Sequence, residues 1–449
     1  MNSTETIRPS TQPLPDITIS NLLHERAVGL MPPTTQVLAK GPTQYVDGVA
    51  PKYVVRGRGA RLWDVDGNEF LDWSMGVGPV SLGYAHPEVD EAIRRQLADG
   101  ITFSLMHPLE VQVSELLEEV IPSAQSVRFA KTGAEATAAA VRTARAYTGR
   151  DRILACGYHG WHDWYIGALP RHAGVPEAVR DLIATFPYND AASLASSIDD
   201  SVAAVILEPM SFQHPQPGFL EAVVDIAHHH SALVIFDEIW TGFRWAIGGA
   251  QQLYGITPDL TTVSKGMGNG MPIAALVGRR DIMAVLETEA FFFSTFGGEA
   301  LSLAATKATI EIMRRDSVPT HLAEIGSMLQ RGYDECAARH GLSSVTRCVG
   351  HPARAMVEFL PEAGDPLLQK SLVQQELIRS GILWQGFHTV SAAHTARDVD
   401  DTLDAFDHAL ASLATALSHG DLEGRILGTP VQPVFRRTGD FDTKPRRTT

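Results

Sequence analysis

Between residues 127 and 277, short apolar runs rich in β-branched residues alternate with helical patterns, and this alternation restricts the fold more than any other feature. The runs at 127–130, 152–156, 202–207, 233–237, 260–263 and 273–277 read as strands, and patterns such as 220–229 as the helices between them. Near-continuous apolar strands separated by helices belong in a doubly wound, largely parallel sheet covered on both faces. Ligands of such sheets bind beyond the carboxyl ends of the strands, near a topological switch point.

Two of these strand ends carry chemistry. The run Val234-Ile235-Phe236-Asp237-Glu238-Ile239 delivers a carboxylate, and the strand 260–263 leads into Ser264-Lys265-Gly266-Met267-Gly268, which delivers an amine. An acid and an amine placed there suit pyridoxal 5′-phosphate (PLP). The lysine forms the Schiff base, and the aspartate keeps the pyridine nitrogen protonated so that the ring accepts electrons. On spacing alone a solvated lysine and a helix-capping aspartate stay open.

Thr132-Gly133-Ala134 lies between a strand and an alanine-rich helix pattern. Unpaired N–H groups and the helix dipole attract a phosphate to such a turn, although an ordinary capped turn gives the same pattern. Tyr158-His159-Gly160-Trp161-His162-Asp163-Trp164 is dense in aromatics for a loop. One of its faces can stack on a ring, with Trp161 and Trp164 assigned to the core. No metal site is expected: His162 with Asp163, and His228-His229-His230, lack completing partners. Gly266-Met267-Gly268-Asn269-Gly270 is not a dinucleotide fingerprint.

A net charge of −15 argues against nucleic acid or an anionic membrane as partner. No apolar run reaches membrane-spanning length, and Cys156, Cys336 and Cys348 show no pairing pattern, which fits reduced thiols in the cytoplasm. The chain is long enough for two or three lobes. Residues 1–85 comprise a disordered leader to about 20, a helix over 17–31 and a strand pair over 52–73. They are expected to pack with a smaller α+β domain at 316–417. Residues 86–315 form the large PLP-binding domain, and 418–449 a tail rich in proline, glycine and arginine (Arg436, Arg437, Arg446, Arg447).

Tyr158-His159-Gly160, Glu208-Pro209, Asp237-Glu238-Ile239, Ser264-Lys265-Gly266 and Thr295-Phe296-Gly297-Gly298 occur in that order. Together with Trp63-Asp64-Val65-Asp66-Gly67 and Ser391-Ala392-Ala393-His394-Thr395 they resemble the class III aminotransferases, fold type I PLP enzymes, most closely the glutamate-1-semialdehyde aminomutase branch. The resemblance covers roughly residues 35–415. It implies Lys265 as the Schiff-base lysine and proton shuttle, and Asp237 as partner of the pyridinium nitrogen. Ile239 and Tyr158 would pack on opposite ring faces, Thr132, Gly133 and Ala134 hold the phosphate, and Gln213 contact the ring hydroxyl. His159 and Glu208 join the cofactor contacts. Thr295 matches a phosphate contact supplied by the second subunit, which implies a homodimer.

The chain also departs from its relatives. Gly41-Pro42-Thr43-Gln44-Tyr45-Val46 lacks the aminomutase's carboxylate-gripping arginine, and Leu383-Trp384-Gln385-Gly386-Phe387-His388 lacks the small-domain arginine of many ω-aminotransferases. A bidentate carboxylate clamp needs a guanidinium, which Arg56, Arg58 or Arg61 could restore by folding into the pocket. Aromatic, amide and imidazole groups at Trp384, Gln385 and His388 suit an amino or keto sugar or an aminocyclitol, as in natural-product or polysaccharide biosynthesis. Glu299, in place of asparagine, would attract an ammonium. Transamination is the expected reaction, with isomerisation by an aminomutase, epimerisation or elimination as alternatives served by the same machinery.

Overall fold

The computed structural model describes residues 13–433. Three strands, β1 (Val54–Arg58), β2 (Arg61–Asp64) and β3 (Glu69–Asp72), replace the expected pair. Arg58 faces Arg61 across Gly59-Ala60, with Gly59 at φ +58°, so a tight hairpin precedes the turn at 64–68. Asp64 Oδ1 closes that second turn by accepting from the Asp66 and Asn68 amides.

The large sheet is built from β4 (Ser126–Ala130), β5 (Arg152–Cys156), β6 (Ile183–Thr185), β7 (Val202–Leu207), β8 (Leu233–Asp237), β9 (Leu260–Val263) and β10 (Ala274–Gly278), in the order β4-β10-β9-β8-β7-β5-β6. β10 alone runs against the other six. The link 264–273 is too short for a crossover helix, so β10 folds back beside β9. Alternate residues serve opposite faces: Ile153, Ala155, Ile206 and Ile235 enter one core, Leu154, Cys156, Leu207 and Phe236 the other. The helix Gly133–Thr148 lies on the first face through small buried residues, among them Ala136, Ala139, Ala140 and Ala144. β6 is only three residues long, too short to show a period in the sequence.

The remaining strands are β11 (Thr346–His351), β12 (Arg354–Phe359), β13 (Ile382–Leu383) and β14 (Phe387–Thr389). β13 adds in parallel to β3, while β11, β12 and β14 form a separate antiparallel sheet. The chain divides into two compact units. One spans Pro87–Pro319, and the other joins the described residues up to His86 with those from Thr320 on.

The first helix is Thr18–Ala27 and stops before Gly29 (φ +86°), short of the expected 31. Residues 1–12 of the leader and Arg436, Arg437, Arg446 and Arg447 of the tail lie outside the described residues. The described parts of both are packed. The Ile19 amide donates to Asp66 Oδ1 (2.6 Å), Thr429 exchanges backbone bonds with Asp47 (2.8 and 3.0 Å), and Val431 joins the core around Val46. No described helix is long and apolar enough to cross a membrane.

Candidate active site

Because β4, β5, β7, β8 and β9 run the same way, their carboxyl ends open on one edge of the sheet. Lys131-Thr132, Gly157-Tyr158-His159, Glu208, Asp237 and Ser264-Lys265 all leave the sheet there. Asp237 is buried, and its partners fix both oxygens. Oδ1 accepts from the Ile239 amide (3.1 Å) and lies 3.5 Å from Thr262 Oγ1, while Oδ2 is 2.8 Å from His159 Nδ1. A carboxylate can only accept, so Nδ1 carries the proton. The imidazole stands edge-on to Tyr165, its carbonyl accepts from Thr137 Oγ1 (2.8 Å), and its buried Nε2 has no hydrogen-bond partner among the described residues.

Lys265 follows β9 after Ser264, at φ +36°, in the left-handed region that a long side chain seldom adopts. Its Nζ lies 3.8 Å from the centroid of Trp240. Sequence reasoning passed over Trp240; its signal is an aromatic three residues beyond Asp237.

The turn after β4 is both a cap and a cradle. Thr132 Oγ1 accepts from the Glu135 amide (3.2 Å), and Glu135 Oε2 accepts from the Lys131 and Thr132 amides (2.8 and 2.9 Å). The first N–H groups of a helix find no acceptor inside it, so those of Gly133 and Ala134 stay available to an outside anion. The turns interlock closely. A Cβ at Gly133 would sit 2.5 Å from Ile239 Cδ1, one at Gly160 2.7 Å from Ala134 Cβ, and one at Gly157 2.9 Å from Glu208 Cγ. Glu208 Oε1 accepts from the Tyr158 amide (2.7 Å), tying β7 to β5.

Glu238, beside Asp237, is a structural acid. It accepts from Thr241 Oγ1 and the Ala250 amide (2.6 Å each) and from the Gln251 amide (2.9 Å). Burial nonetheless pushes its carboxyl above the usual range. Gly249, at φ +79°, has no room for a Cβ against that carboxylate. Gly249→Ala is therefore expected to lower stability by roughly 2 kcal/mol or more, seen as an earlier urea midpoint with an unchanged slope.

Several expected contacts have other surroundings than the sequence suggests. Gln213 is exposed and makes none of the described polar contacts. Glu299 caps the helix Ala300–Arg315 and pairs with Lys131 at 2.8 Å, so it is no open acid awaiting an ammonium. Burial raises its carboxyl, but hydrogen bonds from Lys131 and Ser302 outweigh this and hold it below the usual range. Trp384, Gln385 and His388 are 0, 4 and 1% exposed. Trp384 packs edge-on against Phe406 and near His388, and Gln385 Nε2 donates to the Ala39 carbonyl. Burial, with His394 beside it, pushes the His388 imidazole down to about 3. Sequence could not show that these three groups turn into the core of their own unit rather than toward a ligand.

The residues on the sheet edge fit a phosphorylated pyridine aldehyde: paired N–H donors at a helix start, a buried carboxylate held from three sides, and a lysine in the turn after the neighbouring strand. Comparison with known proteins agrees. The profile of the family described as Aminotransferase class-III matches residues 45–392. The 3-aminobutyryl-CoA aminotransferase of Cloacimonas acidaminovorans (strain Evry) is 35% identical over 408 residues, 88% of this chain and 97% of that protein. The PLP internal aldimine form of the Sphingopyxis sp. MTA144 FumI protein superposes with a TM-score of 0.83 at 28% identity, over 89% of this chain and 97% of that one. The β-phenylalanine aminotransferase of Variovorax paradoxus does so with a TM-score of 0.77 at 26% identity, over 92 and 96%.

Proposed function

The chain belongs to the class III aminotransferases, fold type I enzymes that use PLP, and from that premise we propose that it moves an amino group between an amine donor and a carbonyl substrate, the pair including an amino or keto sugar or an aminocyclitol. Support comes from the engagement of two of the three arginines that could clamp a carboxylate. Arg56 lies 3.9 Å over the ring of Trp63, and Arg61 is paired with Glu69 (3.5 Å) and Asp398 (3.1 Å). Residues 41–46 and 383–388 supply no guanidinium. With Trp384, Gln385 and His388 turned into the core, this want of a clamp carries the substrate reading.

In the proposed mechanism Thr132, Gly133 and Ala134 hold the phosphate, Tyr158 and Ile239 flank the ring, and Glu208 fixes the Tyr158 turn. The bound cofactor supplies an aldehyde that exchanges amino groups and a ring that takes up the electron pair left by the departing proton. Asp237 holds a proton on the ring nitrogen, because an adjacent carboxylate favours the cationic form. Lys265 Nζ takes the substrate proton and returns it to another atom. His159 keeps the Asp237 carboxylate in register. His159→Phe is expected to lower kcat on the order of tenfold with little change in melting temperature.

Thr295 is proposed to reach the cofactor phosphate of a second protomer. It is exposed, and around it Phe291, Phe293 and Phe296 are 71, 62 and 57% exposed. A cavity of about 650 Å³ beside edge strand β4, lined by Met106, Val111, Arg128 and Phe293, adds to a face well suited to a partner.

A second reading follows from the relatives. Both 3-aminobutyryl-CoA and β-phenylalanine carry the amino group β to an acyl carbon, which favours a β-amino acid or β-aminoacyl thioester. The two readings separate in a half-reaction. Holoenzyme is given amino sugars and aminocyclitols, or 3-aminobutyrate and β-phenylalanine, and loss of the visible absorbance of the lysine-bound cofactor is followed. Bleaching by the first set alone upholds the sugar reading; bleaching by the second alone replaces it. Release of a keto product and transfer to an added keto acid distinguish transamination from isomerisation, epimerisation and elimination.

A further inference from the structure

We propose that Lys131 and Glu299 are positioning residues that bolt the phosphate turn to the segment carrying Thr295, and so set how tightly the cofactor's phosphate is held. This rests on the reading of Thr132, Gly133 and Ala134 as the phosphate turn and of Thr295 as a contact for the partner's cofactor.

Lys131 belongs to two helix starts at once. Its amide donates to Glu135 Oε2, within the cap of Gly133–Thr148. Its ammonium donates to Glu299 Oε1 (2.8 Å), and Glu299 in turn caps Ala300–Arg315 by accepting from the Leu301 and Ser302 amides (2.8 and 3.1 Å). The Pro272 carbonyl joins the network, accepting from Lys131 Nζ (3.2 Å) and Ser302 Oγ (3.1 Å). The side chains of the pair are only 15 and 10% exposed, so solvent screens them weakly. A cation between two helix N-termini opposes both dipoles; the Glu299 carboxylate offsets this and fixes the spacing of the two helix starts. One turn leads directly to Thr132, the other directly back through Gly298 and Gly297 to Thr295. Losing the bolt loosens both donor sets that meet a phosphate while leaving Asp237 and Lys265 in place.

The test is titration of full-length, cofactor-stripped protein with PLP and with pyridoxal, which lacks the phosphate. Wild type is expected to bind PLP more tightly than pyridoxal. Lys131→Met and Glu299→Gln are each expected to weaken PLP about tenfold and leave pyridoxal unchanged, and Lys131→Arg to restore PLP affinity. Glu299→Gln keeps an oxygen for the cap, and thermal melts identify any variant that fails to fold. Equal losses for PLP and pyridoxal, or no loss in either variant, overturn the proposal. Weaker PLP binding in Lys131→Met with tighter binding in Glu299→Gln also overturns it, in favour of a direct charge effect. If wild type itself does not distinguish PLP from pyridoxal, the underlying phosphate assignment fails.

Discussion

Lys265→Ala is expected to abolish turnover, with kcat falling by about 10⁴-fold or more, while PLP is still retained through its phosphate. The proposed roles of this side chain, attachment of the cofactor and movement of the substrate proton, both need an amine that can lose its charge. Lys265→Arg should fail equally, because a guanidinium keeps its charge at any working pH even if it stays over Trp240. The backbone supports the assignment. A lysine at φ +36° two residues beyond β9 is strained, and such strain collects where a side chain must be aimed. Steady-state kinetics and borohydride reduction followed by peptide mass mapping check this together. Activity within tenfold of wild type, or cofactor fixed to another lysine, would remove the basis of the mechanism.

Asp237→Ala is expected to lower kcat by on the order of 10³-fold, and Asp237→Asn by a similar factor, since the amide keeps the shape but not the charge. The environment makes the charge the important quantity. The Ile239 amide, Thr262 and His159 surround the carboxylate, and in a buried site an ion interacts more strongly than in water. Asp237→Asn also places an amide against the His159 Nδ1 proton unless it rotates or the ring changes tautomer. A second consequence is therefore a shift of the bound cofactor's absorption maximum, separable from any loss of affinity. An Asp237→Asn enzyme with near wild-type kcat would show that ring protonation has another source.

The strand ends were legible because two signals coincide there: an apolar β-branched run fixes the strand, and the first polar residue after it must leave the sheet. Asp237 ends such a run, and Lys265, Thr132 and His159 each lie two or three residues beyond one. Thr132 answers to cap and phosphate readings alike, since its cap uses the hydroxyl as acceptor and spares the amides of Gly133 and Ala134. The reversal of β10 was present in the shortness of 264–273, although an apolar run alone does not state its direction. The sequence of Trp384, Gln385 and His388 could not reveal which way those groups face. That depends on Phe406, Ala39 and Cys348, residues distant along the chain. Lys131 and Glu299 are likewise a pair only in three dimensions.

The three close approaches, Gly133 on Ile239, Gly157 on Glu208 and Gly160 on Ala134, leave the cofactor-facing turns no slack. Laboratory evolution toward new amines should then find almost no tolerated changes at these positions. Libraries for altered specificity are better spent on residues outside this interlocked set.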